Sequence, residues 1–208
     1  MPKRLFHIAI MFITGLTLLP GAPAQGAEPL TGKYGWGSKA EAQLFQKALW
    51  EPIRAARLSA FTVPVVEKAI NCTQYDNDHP PENSLRRGGG MCGEYYWLEQ
   101  GSGTSLVKID TEEKLKQTLG PIDNEAKAVA ILTLLKNDLV EGPPNKVPEG
   151  HILKTEQGYL VQLKDSYSFG CGHHIPRWVI YSVSRSGDIK LAAVEKIKEP
   201  KGPGICVD

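Results

Sequence analysis

The sequence opens on a segment that sets the conditions under which everything after it must fold. Lys3 and Arg4 precede a fifteen-residue stretch, Leu5 to Leu19, that is apolar apart from His7, Thr14, Gly15 and Thr17; Pro20, Gly21 and the small-residue tripeptide Ala22-Pro23-Ala24 follow. Charge, then apolar core, then A-x-A is the order of a secretory signal peptide. A spanning helix needs about 20 apolar residues, and this run stops short at a proline. Cleavage is expected after Ala24, with Ala27 as the other cut, and no cysteine stands just after the run to carry a lipid. The mature chain, residues 25–208, is therefore expected to be secreted or periplasmic, with no stable membrane anchor, and to fold in an oxidising compartment.

That setting gives the cysteines their meaning. All four, Cys72, Cys92, Cys171 and Cys206, lie after the signal, and an even count in an exported chain points to two disulfides. Three connectivities are open to four cysteines. Pairing Cys72 with Cys92 and Cys171 with Cys206 is favoured because each pair closes a Gly- and Pro-rich irregular segment.

Loss of residues 1–24 removes two basic residues and no acidic one, leaving 22 basic against 23 acidic side chains. That balance disfavours nucleic acid and polybasic membrane binding, both of which need an excess of Lys and Arg on one face. A mature chain of 184 residues fits one domain, with a subdomain boundary placed near residues 142–150 by Gly142-Pro143-Pro144 and Pro148-Glu149-Gly150.

Along the chain, Ser38-Lys39-Ala40-Glu41 has the form of a capping box and starts a helix whose apolar face is Ala40, Leu44, Phe45, Ala48 and Leu49. Pro52 is expected to break that helix near Trp50, with a restart through Ile53 to Leu58. Residues 61–70 are ambiguous: valines favour a strand, and Pro64 confines it to an edge. Residues 72–92 read as a long loop. Glu94 to Glu99 and Ser105 to Ile109 read as a hairpin across Gly101-Ser102-Gly103. Asp110-Thr111-Glu112-Glu113 starts a further helix stopped by Gly120 and Pro121, and the apolar run after Asp123 is the central core helix. Two more hairpins follow: Ile152 to Thr155 with Tyr159 to Lys164, and Arg177 to Ser184 with Ile189 to Lys196. The expectation is an α+β domain, N-terminal and central helices packed on a mainly antiparallel sheet that shows its back to water, with two disulfides.

Chemistry-bearing residues are sparse. Gly170-Cys171-Gly172-His173-His174 is the densest group, and His173, His174 and His151 are the candidate zinc ligands. Adjacent histidines on a strand point to opposite faces, and the spacing fits no strong zinc pattern, so no cofactor is expected and zinc is the alternative. Cys92 as a nucleophile would need a free, low-pKa thiol, which an even cysteine count opposes. Asp76, Asp78 and Glu82 could offer oxygen ligands to calcium, but the order is not that of a calcium loop. Asn71-Cys72-Thr73 fits the N-glycosylation pattern, which matters only in a eukaryotic pathway. Catalytic elbows, zinc helices, phosphate loops and dinucleotide turns are missing from the sequence. Alternation along Tyr95, Tyr96 and Trp97 leaves one aromatic of the three on the outside; Arg86, Arg87 and Tyr96 are taken as the candidate binding surface. The resulting expectation is a non-catalytic binding or accessory module whose partner is a protein or a small ligand. The alternative is a hydrolase or metal-dependent enzyme centred on His173 and His174.

Overall fold

The computed structural model describes residues 34–70, 84–87, 94–136, 147–165, 170–172, 177–196 and 205–207. In chain order the elements are β1 (Tyr34–Trp36), α1 (Lys39–Lys47), β2 (Glu51–Pro52), a 3₁₀ turn (Arg57–Ala60), β3 (Val65–Ile70), β4 (Leu85–Arg87), β5 (Glu94–Gln100), β6 (Val107–Ile109), α2 (Glu112–Leu119), α3 (Glu125–Leu135), β7 (Gly150–Lys154), β8 (Gly158–Asp165), β9 (Gly170–Gly172), β10 (Arg177–Ser184), β11 (Ile189–Glu195) and β12 (Ile205–Val207). Every strand pairing is antiparallel. The expected α+β class is what the chain adopts. The expected signal segment lies outside the described residues, among which no helix is long and apolar enough to cross a membrane.

The helices start where local chemistry requires. Thr111 and Asn124 cap α2 and α3, each side-chain oxygen accepting from the amide three residues on. At α1 the Ser38 hydroxyl accepts from the Glu41 amide at 3.2 Å and donates to the Glu41 carboxylate at 2.8 Å, so the glutamate takes the cap's hydroxyl rather than its backbone amide. The helix ends at Lys47, before Trp50. Pro52 then sits in the two-residue edge strand β2, where a missing amide donor costs nothing; the restart is a single 3₁₀ turn.

Three sheets form. The largest runs β1-β11-β10-β8-β7-β2, a smaller one runs β3-β5-β4 with β6 also on β5, and β9 pairs with β12. The three predicted hairpins are present as β5–β6, β7–β8 and β10–β11. Unforeseen are the short strands β1, β2, β9 and β12, whose partners lie far away in sequence, and β4, which pairs with the next strand β5 inside the stretch 72–92 read as a loop.

One core joins the two larger sheets through α2 and α3. Tyr96, Leu98 and Ile109 from the small sheet meet Leu115, Leu119 and Val129 to Leu132 from the helices, and these meet Val161, Leu163 and Val179 of the large sheet. Helix α3 is buried at every position from Ala128 to Leu134, the pattern of a helix enclosed on all sides. Residues before and after the stretch 142–150 share this core.

The large sheet does not show its back to water. Leu160, Ile180, Ala192 and Ala193 face away from α3 and are covered by Tyr34, Trp36, Phe45, Trp50 and Leu153. The cover is a chain of aromatic contacts: Phe45 of α1 lies 4.9 Å from Tyr34, 5.0 Å from Trp36 and 5.6 Å from Trp50, centroid to centroid. Short β1 and β2 bring that cover in from both sheet edges. The predicted apolar face of α1 is accordingly only partly used, since Leu44 is 45% exposed and Leu49, past the helix end, is 92% exposed.

Two disulfides are not shown by this structure. Cys72 and Cys92 lie outside the described residues, and Cys171 stands opposite Cys206 in the backbone register of β9 and β12.

Candidate functional site

The residues singled out from the sequence do not assemble into one site. Tyr96, expected on a binding surface, is fully buried: its hydroxyl donates to the Leu134 carbonyl of α3. The Tyr96 ring is part of the core against α3, and a buried phenol usually finds an acceptor for its hydroxyl. Tyr95 is buried as well, and Trp97 is half-buried, its indole donating to Glu99 at 3.1 Å and its ring 4.8 Å from the Lys108 ammonium. None of the three aromatics is fully exposed, which corrects the expectation that one would be. Arg86 and Arg87 occupy β4, opposite Tyr95 and Glu94 in register.

His173 and His174 lie outside the described residues. His151 is on β7, 7% exposed, with its Nδ1 2.8 Å from Gln162 Oε1. Gln162 in turn donates through Nε2 to the Tyr34 hydroxyl. An amide oxygen facing Nδ1 requires that nitrogen to carry the proton. His151, Gln162 and Tyr34 therefore form a buried polar chain beneath the aromatic cover, with Trp178 6.5 Å from the imidazole. Burial pushes the Tyr34 phenol up to about 12; the Gln162 bond pulls against this and the Glu195 carboxylate adds to it. The chain fastens β1 to the middle of the sheet. Among the described residues no group of three or more His, Cys, Asp or Glu side chains stands together to hold a metal.

A concave site lies elsewhere, at the turn end of the large sheet. Helix α1 crosses the sheet near the β7–β8 turn, and between them opens a groove of about 980 Å³. Ser38, Glu41 and Leu44 line it from the helix and residues 154–158 from the β7–β8 turn; beneath lie β8 and β10, where Leu160 and Ser182, paired in register, share the face turned to α1, with Ser184 and Lys190 beside them.

Local sequence builds each wall. The cap at Ser38 fixes where α1 begins and so presents Glu41 and Leu44 one turn apart on the groove side. The β7–β8 turn closes with the Thr155 amide on the Gly158 carbonyl at 2.8 Å, and Gly158 holds a φ of 149° that lets the chain pass under Val183. The β10–β11 turn is tied by Ser186 donating to Asp188 at 2.7 Å and by Ser184 accepting from the Asp188 amide at 2.9 Å.

Those bonds decide what the rim can do. The Ser186 hydroxyl and the Lys116 ammonium, 3.0 Å away, hold the Asp188 carboxyl below its usual range, so it is a fixed anion already engaged within its own turn. Glu41 is engaged by Ser38, and the Ser182 hydroxyl reaches the Lys190 carbonyl. Among the described residues no histidine or cysteine lines the groove. Hydroxyls, two lysines and several carboxylates surround the apolar side chains of Leu44 and Leu160, an arrangement that can hold a molecule by burial and hydrogen bonds.

Nothing in the sequence marks Leu44, Leu160 or Lys190 as belonging to one site. The capping box and the two turns were readable separately, and their convergence was not. Compared with protein-family models, with curated proteins and with solved structures, the chain matches none.

Proposed function

We propose that this chain is an exported binding module that takes a small ligand with an apolar body and hydrogen-bonding substituents in the groove between α1 and the β7–β8 turn. The groove itself carries the reading: its volume is that of a site for a small organic molecule, and apolar side chains such as Leu44 and Leu160 set among a few polar groups are how such sites combine affinity with orientation. The mixed rim, with Lys154 and Lys190 near Glu41, Glu156 and Asp188, disfavours a ligand selected by bulk charge. In the same reading the mature chain begins after Ala24, is secreted or periplasmic, and carries two disulfides.

The test is a small-molecule screen on the mature chain read by backbone amide NMR shifts. Ligands of the stated kind should move amides of residues 154–160 and 182–184. Leu44 is half out of water, so Leu44→Lys should leave the fold intact and remove an apolar wall whose burial contributes about 1.4 kcal/mol, weakening binding about tenfold. Ligands that shift other regions and ignore Leu44→Lys would sink the groove as the site. Intact mass of chain recovered from its host reports the cut after Ala24.

A further inference from the structure

We infer that Cys171 and Cys206 form a disulfide that fastens the C-terminal strand β12 to the connection between β8 and β10. The inference rests on the export proposed above, because an oxidising compartment keeps such a bond closed.

Strands β9 and β12 pair with Gly170 opposite Val207, Cys171 opposite Cys206 and Gly172 opposite Ile205. Residues directly opposed in an antiparallel ladder have Cα atoms about 4.5 or 5.5 Å apart, according to whether the pair exchanges hydrogen bonds. Both spacings fall within the range of about 4.4–6.8 Å that a disulfide spans. The register thus selects one of the three connectivities that four cysteines allow. It also leaves Cys72 with Cys92 as the remaining pair.

The ladder itself argues for a covalent tie. It is three residues long, among the described residues it is hydrogen-bonded to neither of the other sheets, and glycine fills two of the three β9 positions. An isolated two-stranded ladder is marginal in water, and glycine adds no side chain to pack. A bond across its central pair supplies the cohesion that such a ladder lacks.

Closure is thiol–disulfide exchange. The thiolate of one cysteine attacks a sulfur of an external disulfide, that of an oxidoreductase or of oxidised glutathione, and expels one external thiolate; the second cysteine then displaces the other external sulfur from the mixed disulfide. Two protein thiols are oxidised. One external disulfide is reduced to two thiols, which carry away the two electrons and two protons.

The test uses the full chain, purified in reduced form and incubated with reduced and oxidised glutathione. Remaining thiols are alkylated, the protein is digested without reduction, and linked peptides are identified by mass spectrometry. A linked pair carrying Cys171 and Cys206 should dominate, in the natural chain and equally in a Cys72→Ser, Cys92→Ser double variant. A link from Cys171 to Cys72 or Cys92, or recovery of Cys171 and Cys206 as alkylated free thiols, overturns the assignment. The oxidant is supplied in the tube, so this result is independent of export. Failure of export would show separately, as chain from the host that still carries residues 1–24.

Discussion

The hydroxyl of Tyr96 donates to the backbone carbonyl of Leu134, tying the central strand of the small sheet to the last turn of the buried helix α3. Carbonyls in the last turn of a helix have no partner within it, and this one lies where water does not reach. The tyrosine is therefore a structural bolt between the small sheet and α3.

Removing that hydroxyl takes away the partner this buried carbonyl has among the described residues. Tyr96→Phe should destabilise the fold by about 1–3 kcal/mol while keeping the ring's packing, as measured by urea unfolding. Ligand affinity in the groove should stay unchanged. A variant as stable as the natural chain would show that Leu134 finds another donor.

Gly158 is the backbone position that shapes the groove floor. A Cβ there would meet the Val183 carbonyl oxygen at 2.1 Å and the Ser184 Cα at 3.0 Å, and the φ of 149° is one that side chains resist. Gly158→Ala should lose stability by at least about 1–3 kcal/mol from the backbone strain alone, with further loss from the clash. It should also perturb amides on both sides of the β7–β8 turn. Unchanged stability and spectra would mean that the close approach to β10 is not maintained in solution.

Tyr34 links stability to alkaline pH. Its phenol is pushed up to about 12, first by burial, whereas a tyrosine in the unfolded chain titrates near 10. A folded-state value above the unfolded one means that the linked stability is fully present below about pH 10 and is lost as pH rises through about 12. Tyr34→Phe also deprives Gln162 of its acceptor and should cost about 1 kcal/mol at neutral pH. The gap between natural chain and variant should then narrow, or reverse, between about pH 10 and 12 in chemical unfolding experiments. A gap independent of pH across that window would show that the phenol is not held in a desolvated place.

Ser38, Thr111 and Asn124 show what the sequence by itself determined. Each cap is a hydrogen bond between a side chain and an amide three residues away, so the information that starts each helix is contained within one turn of chain. The hairpins β5–β6, β7–β8 and β10–β11 are legible for the same reason: their partners are joined by short turns. The α+β class and the central place of α3 followed from these local signals.

The fate of each face was decided by tertiary structure alone. Tyr96 and Trp97 are neighbours of similar β-propensity on opposite faces of β5, and Tyr96 is in the core against α3 while Trp97 is half-buried. Leu44 has the helical spacing of a core residue, yet α1 turns Phe45 onto the sheet and leaves Leu44 at the groove. Strand β1 exists because Tyr34 to Trp36 meets Glu195 to Ala193, about 160 residues away, and that meeting brings Tyr34 and Trp36 into the cover on the back of the sheet and Tyr34 to Gln162. Burial depends on which distant segment arrives to exclude water, and a hydrogen-bond pattern spanning a few residues carries no record of it.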